Sequence, residues 1–157
     1  MIRFEQVSKT YRGGFQALKN VSFQIEKGEM IFVAGHSGAG KSTVLKLIAG
    51  ITKPSSGKVW MNGRDIGSLN DNQIGFLRQH IGIVFQDHKI LFDRSVLQNV
   101  LLPLQIIGYG RTEAEKRARV AIAKVGLAGR ENADPVTLSG GEQQRLCTAP
   151  SFISLAC

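Results

Sequence analysis

Hydrophobic and polar positions change period several times along the chain, and each change marks an expected element. Val21, Phe23 and Ile25 alternate with Ser22, Gln24 and Glu26, the period of a strand with one wet face, closed by Lys27-Gly28. An antiparallel layer is expected there. Residues 30–34, Met-Ile-Phe-Val-Ala, form a continuous apolar run of the kind that suits a parallel strand covered on both faces. Val44, Leu45, Leu47 and Ile48 then predict a short, mostly buried helix over 41–49, with Gly50 able to take the left-handed position at its end. Residues 58–61 read as a strand ending at the turn Asn62-Gly63, 71–79 as a weak helix and 81–85 as a strand. A helix over 96–102 should stop at Pro103, because the residue before proline is pushed out of the helical region. Thr112 and Glu115 have capping-box spacing at the start of a helix with inner face Ala114, Ala118, Ala121, Ile122 and Val125, ended by Gly126.

The 157 residues (17.1 kDa) allow one compact domain with a substantial core, and two full domains are not expected. At 43% hydrophobic and 20% charged, the composition excludes disorder as the main state. No apolar run reaches the ~18 to 20 residues that cross a bilayer, and Met1-Ile2-Arg3-Phe4-Glu5 lacks a signal-peptide pattern. The expectation is a cytosolic chain unless a partner holds it at a membrane. Cys147 and Cys157 are too few and too local to staple a secreted fold and are read as reduced thiols. The net charge of +8 permits attraction to nucleotides, nucleic acid or an anionic membrane and chooses among none of them. Its densest patch, Arg111, Lys116, Arg117, Arg119 and Lys124, shares an expected helix with Glu113 and Glu115 and reads as a solvated face.

Two clusters carry chemistry. Gly35-His36-Ser37-Gly38-Ala39-Gly40-Lys41-Ser42 has the phosphate-loop pattern, and it lies between an expected buried strand and an expected helix. Small residues let successive backbone N–H groups curl around a phosphate, and the helix N-terminus adds its positive dipole end. Lys41 can reach the β- and γ-phosphates, and the Ser42 hydroxyl can ligate Mg²⁺. The second cluster is Leu138-Ser139-Gly140-Gly141-Glu142-Gln143-Gln144-Arg145. Ser139 and Glu142 form a Ser-x-x-Glu capping box, which by itself needs no chemical role. The same arrangement turns a hydroxyl, two glycine amides and a helix N-terminus toward one point, a second anion site.

A phosphate loop followed by this second cluster resembles the ATP-binding cassette (ABC) ATPases, whose signature motif is Leu-Ser-Gly-Gly-Glu-Gln-Gln-Arg. Tyr11 stands at the position of the family's adenine-stacking aromatic, and Gln86 at that of the Q-loop glutamine. The opening Met-Ile-Arg-Phe, the loop wording and Phe85-Gln86-Asp87-His88 resemble the cell-division branch of the family; lipoprotein-release and macrolide-export branches share most of these motifs. The resemblance covers residues 1–147, expected as a partial ABC ATP-binding domain, with 148–157 a non-family tail. It implies an α/β P-loop NTPase fold of ABC type: an incomplete RecA-like parallel sheet core, an N-terminal antiparallel β layer and a helical part bearing the signature.

By resemblance, ATP with Mg²⁺ is the cofactor. Nucleotide would be held by Tyr11, Gly35, His36, Ser37, Gly38, Ala39, Gly40, Lys41, Ser42, Thr43 and Gln86, with Ser42 and Gln86 also on the metal. Leu138, Ser139, Gly140, Gly141, Glu142 and Gln143 would face ATP bound by a second copy, so a homodimer is implied. An integral membrane partner is implied at the Q-loop surface, which would place the chain on the cytoplasmic face of the bacterial inner membrane. An ABC ATPase acting on nucleic acid or ribosomes would carry a long heptad insertion; none is visible, and no nucleic-acid partner is expected.

After Cys147 the family continues its signature helix and supplies an Asp-Glu strand, a D-loop and a switch histidine. Thr148 to Cys157 is uncharged and contains Pro150, which breaks a helix interior, so this stretch reads as a truncated or frame-shifted end. His36, His80 and His88 do not stand where the switch histidine would. With no Mg²⁺-supporting Asp and no water-polarising Glu, no catalytic residue is assigned, and nucleotide binding without turnover is the third expectation. The resemblance also pairs the Asp-Glu strand with residues 30–34, so exposed apolar surface is expected there.

Overall fold

The computed structural model describes residues 1–85 and 89–151. They form two compact units, Met1–Arg78 and Gln79–Cys157.

In the first unit, β1 (Ile2–Thr10), β2 (Gln16–Ile25), β3 (Ser56–Met61) and β4 (Arg64–Asp65) make an antiparallel sheet in the order β2-β1-β3-β4. This is the expected N-terminal layer. β3 and β4 are joined at Asn62-Gly63, with φ of 48° and 78°, as a two-residue hairpin requires. β1 is an element the hydrophobic pattern did not reveal. Phe4 and Val7 are both buried although three positions apart, because the strand bulges at Gln6, where φ is 48° and the register with both neighbours shifts. The bulged amide of Gln6 donates to Ser22 Oγ at 2.9 Å. Opposite it, Gly57 lies against the carbonyls of Glu5 and Gln6 so closely that no Cβ fits.

Helix α1 (Lys41–Ile48) packs Val44 and Leu47 onto this sheet against Phe4, Val7, Leu18 and Val59, and Phe4 stacks on Phe23 at 4.4 Å. Leu45, expected among the buried positions, is instead 61% exposed: at about 100° per residue it stands at the edge of the arc that runs from Leu47 through Val44 and Ile48, and the sheet covers only the rest. Gly50 takes φ of 61°, its amide donating to the Leu47 carbonyl while that of Ile51 donates to the Lys46 carbonyl, and this pair of hydrogen bonds ends the helix where the sequence predicts. α2 (Asp71–Gln79) has the predicted bounds and buries Ile74.

The second unit packs α3 (Val96–Ile107), α4 (Arg111–Lys124) and α5 (Gly140–Thr148) around Val100, Leu104, Ile122, Leu127 and Leu146. α3 runs through Pro103, where the sequence predicts its end. A Ser95–Gln98 capping box starts the helix, and Leu104, beyond the proline, is fully buried. Burying that leucine is worth about 1.5–3 kcal/mol, comparable to the roughly 3 kcal/mol an interior proline costs. α4 presents the predicted face, with Ala114, Ala118, Ala121 and Ile122 buried and Gly126 at its end. The Thr112–Glu115 capping box does not form: the N-cap is Gly110, Thr112 lies inside the helix, and Glu115 pairs with Arg119 at 2.7 Å. Arg117 pairs with Glu113 at 2.6 Å and covers the Tyr109 ring.

Two predicted strands are absent. Residues 30–34 and 81–85 carry no ladder, and Met30 and Phe32 are 81% and 88% exposed, in line with the apolar surface expected there. A parallel strand takes every backbone bond from neighbouring strands, and the described residues offer these two none.

Leu47→Ala should destabilise the chain by about 2–5 kcal/mol, and Leu45→Ala, two positions away, by no more than about 0.5 kcal/mol. Urea denaturation of both variants checks the packing assigned to α1.

Candidate functional site

The phosphate-loop residues lie in the first unit, where Gly40 sets the start of α1. Gly40 has φ of 89°, and a Cβ on it would stand 2.5 Å from the Ala17 carbonyl oxygen and 2.8 Å from Leu18 Cδ2. The loop can meet β2 this closely only with glycine there. His36 accepts the Ala39 amide through its carbonyl at 3.2 Å, and its Nδ1 lies 2.7 Å from the Ser37 carbonyl oxygen. Lys41 Nζ donates to the carbonyls of Gly35 and His36 at 2.7 and 2.8 Å, so the ammonium lies over the loop's own backbone.

The start of α1 has no side-chain cap and no acidic residue in its first turn. Its leading N–H groups and positive dipole end therefore meet no competing side-chain oxygen or carboxylate, an arrangement that suits a phosphate. Ser42 is exposed in this turn, whereas Thr43 is buried and meets the Tyr11 hydroxyl at 3.2 Å. Tyr11 belongs to the β1–β2 loop, its amide bonded to the Phe15 carbonyl at 2.9 Å, and Lys9 Nζ lies 5.3 Å from its ring centroid. Tyr11, Gly35 to Ser42 and Thr43 thus share the first unit. Gln86 lies outside the described residues. Among the described residues, no group of three or more His, Cys, Asp or Glu side chains is arranged to hold a metal.

In the second unit the start of α5 is built differently. Ser139 Oγ accepts the Glu142 amide at 3.3 Å, and Glu142 Oε2 accepts the Ser139 amide at 2.8 Å, the capping box that the sequence predicts. Gln143 Nε2 donates to the carbonyls of Pro135 and Leu138 at 2.9 and 3.4 Å, and Leu138 is buried. Gly140 and Gly141 follow Ser139 as the exposed first residues of the helix. Arg130, which sequence reasoning missed, reaches Glu142 Oε1 with Nη2 at 3.3 Å. No local spacing pattern links residues twelve apart across an irregular loop, and only the fold brings them together.

The Ser139 backbone amide, followed by its hydroxyl and by Arg130, holds the Glu142 carboxyl below its ordinary value. Burial pushes the Cys147 thiol up; its Sγ donates to the Gln143 carbonyl, and the cysteine is free.

A glycine loop leading into an uncapped helix beside an antiparallel sheet, with a boxed Ser-Gly-Gly helix start in a second unit, defines a P-loop ATP-binding cassette. The ABC transporter family model matches residues 18–156, and the chain belongs to this family. The chain is 51% identical to the cell division ATP-binding protein FtsE of Escherichia coli K12 over 154 residues, 98% of this chain and 69% of FtsE. It is 41% identical to the lipoprotein-releasing system ATP-binding protein LolD of Coxiella burnetii, over 100% of this chain and 70% of LolD. The dimeric ATP-binding cassette MJ0796, solved in a post-hydrolysis state bound to ADP and Pi, superposes with a TM-score of 0.90 at 35% identity, over 99% of this chain and 70% of that one. This likeness shows the ABC-type P-loop fold; the described residues supply its antiparallel layer and helical part, while the parallel strands expected at 30–34 and 81–85 are not formed among them.

Because the folded-state value of Glu142 is depressed, its contribution to stability is present above the unfolded carboxylate value and is lost as pH falls through the lowered one. A side-chain carboxyl NMR titration should place Glu142 below the ordinary glutamate range, and Ser139→Ala should move it only part of the way back up, because the Ser139 backbone amide, the larger cause, remains.

Proposed function

We propose that this chain is the ATP-binding subunit of a membrane-associated ABC system of the cell-division type, working as a homodimer with an FtsX-like integral membrane partner. The observation that carries this reading is the uncapped, acid-free start of α1 behind the glycine loop, in a chain about half identical to FtsE. The loop amides and Lys41 would receive the β- and γ-phosphates, Lys41 leaving the carbonyls of Gly35 and His36 for the phosphate oxygens. Tyr11 would stack on adenine. Ser42, with Gln86 assigned by sequence position alone, would hold Mg²⁺, which neutralises phosphate charge when bound. Ser139 to Gln143 would face nucleotide held by a second copy, as the dimeric state of MJ0796 supports.

The residues proposed to hold nucleotide all fall within residues 1–147. The membrane partner would dock around Gln86 at the cytoplasmic face of the bacterial inner membrane. The described helices include none long and apolar enough to cross a bilayer, so attachment would come through that partner. The LolD match supports a second reading, a subunit of a lipoprotein-release transporter. Co-purification with an FtsX-type membrane protein, and not with a lipoprotein-release permease, separates the two.

Lys41→Ala should weaken MgATP binding about ten- to a hundredfold, the loss expected when one partner of a charge-assisted contact is removed. Titration with a fluorescent nucleotide checks this, and equal affinities would remove the phosphate-loop assignment.

Turnover should separate from binding. Within these 157 residues the acidic side chain of the signature, Glu142, is committed to the capping box and is not free to polarise water. These 157 residues should bind nucleotide and release phosphate at no more than the background rate of the Lys41→Ala control. Lys41-dependent release would show that another residue supplies the acid.

A further inference from the structure

We infer that Arg130 is a positioning residue for the anion site at the start of α5, holding the Glu142 carboxylate turned aside and neutralised so that the Ser139-Gly140-Gly141 face can receive phosphate. This rests on the proposed meeting of that face with nucleotide held by a second copy.

The helix start carries an internal conflict. Its amides favour an anion, yet Glu142, its third residue, brings a full negative charge into the same turn. A carboxylate free to swing there would repel an incoming γ-phosphate and compete for the glycine amides. Two contacts prevent this. The Ser139 amide binds Oε2 at 2.8 Å, and Arg130 takes Oε1 from the other side at 3.3 Å, so both oxygens are committed. The Glu142 side chain is 20% exposed while that of Arg130 is 48% exposed, so the carboxylate is the more enclosed partner. The guanidinium also cancels the charge that the box introduces.

The loop carrying Arg130 is itself pinned. The Arg130 amide donates to the Leu127 carbonyl at 3.0 Å, and Leu127 is buried in the helical core. Farther along, Asp134 Oδ1 accepts the Val136 amide at 2.9 Å and Gln143 holds the Pro135 carbonyl. The distance from Arg130 to α5 is therefore set by backbone on both sides. Arg145, whose Nη1 would lie 3.8 Å from a Cβ on Gly141, supplies a second cation near the glycines and has no ion pair with Glu142 among the described contacts. It does not replace Arg130 at the carboxylate.

The test is ATP-dependent self-association of the chain, followed by sedimentation velocity with and without MgATP, beside single-copy binding of a fluorescent nucleotide. Arg130→Ala should leave single-copy nucleotide binding unchanged and weaken self-association roughly tenfold, the order of one uncompensated charge at a bound anion. Arg130→Lys should retain most of the association. Arg130→Ala combined with Glu142→Gln should recover it, because the charge that needed cancelling is gone. A role for Arg130 in packing alone would not be rescued by removing the Glu142 charge, and a role in folding alone would show in the circular dichroism of Arg130→Ala. Undiminished association of Arg130→Ala, or failure of the double variant to recover although circular dichroism shows it folded, would overturn the inference. Absence of ATP-dependent association in the unmodified chain would overturn the underlying second-copy reading, and this one with it; that result is distinguished by appearing before any substitution is made.

Discussion

Gly40 brings the end of the glycine loop against β2 so closely that a Cβ would stand 2.5 Å from the Ala17 carbonyl oxygen, and that approach decides where α1 begins. From there the helix direction follows, with Val44 and Leu47 falling onto the sheet beside Phe4, Val7 and Val59. The same placement puts Thr43 within 3.2 Å of the Tyr11 hydroxyl, joining the β1–β2 loop to the first turn of the helix. A side chain at Gly40 would displace all of these together, because a backbone carbonyl, unlike the end of a flexible side chain, has no rotamer by which to retreat.

The two helix starts that carry the chemistry solve the same electrostatic problem in opposite ways. Orphan amides at a helix N-terminus need acceptors. α1 leaves them without a capping side chain or first-turn acid, and its lysine is held by carbonyls that phosphate oxygens can outbid. α5 caps the amides of Ser139 and Glu142 with each other's side chains, gives those of Gly140 and Gly141 no side-chain cap among the described contacts, and adds Arg130 at the carboxylate. The first is therefore suited to draw an anion into a single chain. The second is capped in part and its own carboxylate is paired, which fits a surface that meets an anion presented by a partner.

Capping and proline rules fail at two places in the helical unit. Pro103 should end α3, yet burial of Leu104 beyond it and a capping box before it outweigh the lost backbone bond. Thr112 and Glu115 have capping-box spacing, yet Glu115 finds Arg119 one turn on, and the helix begins at Gly110. Both rules describe one turn of isolated helix. Neither includes the core that the helix must cover.

The phosphate loop, the α5 capping box, the Asn62-Gly63 turn and the inner face of α4 were legible in the sequence, because each rests on residues within one or two turns of one another. Their physics is local: φ preferences, amide-to-side-chain bonds and the helical period. Only the tertiary structure decided the rest. β1 was hidden because the bulge at Gln6 reverses which face its side chains take, and a period of two cannot be read across such a shift. Residues 30–34 look like a buried strand by composition, but a strand exists only when another strand takes its hydrogen bonds. The Arg130–Glu142 and Tyr11–Thr43 contacts join residues far apart in the chain, and no pattern in a linear sequence encodes which distant side chains a folded backbone will bring within reach.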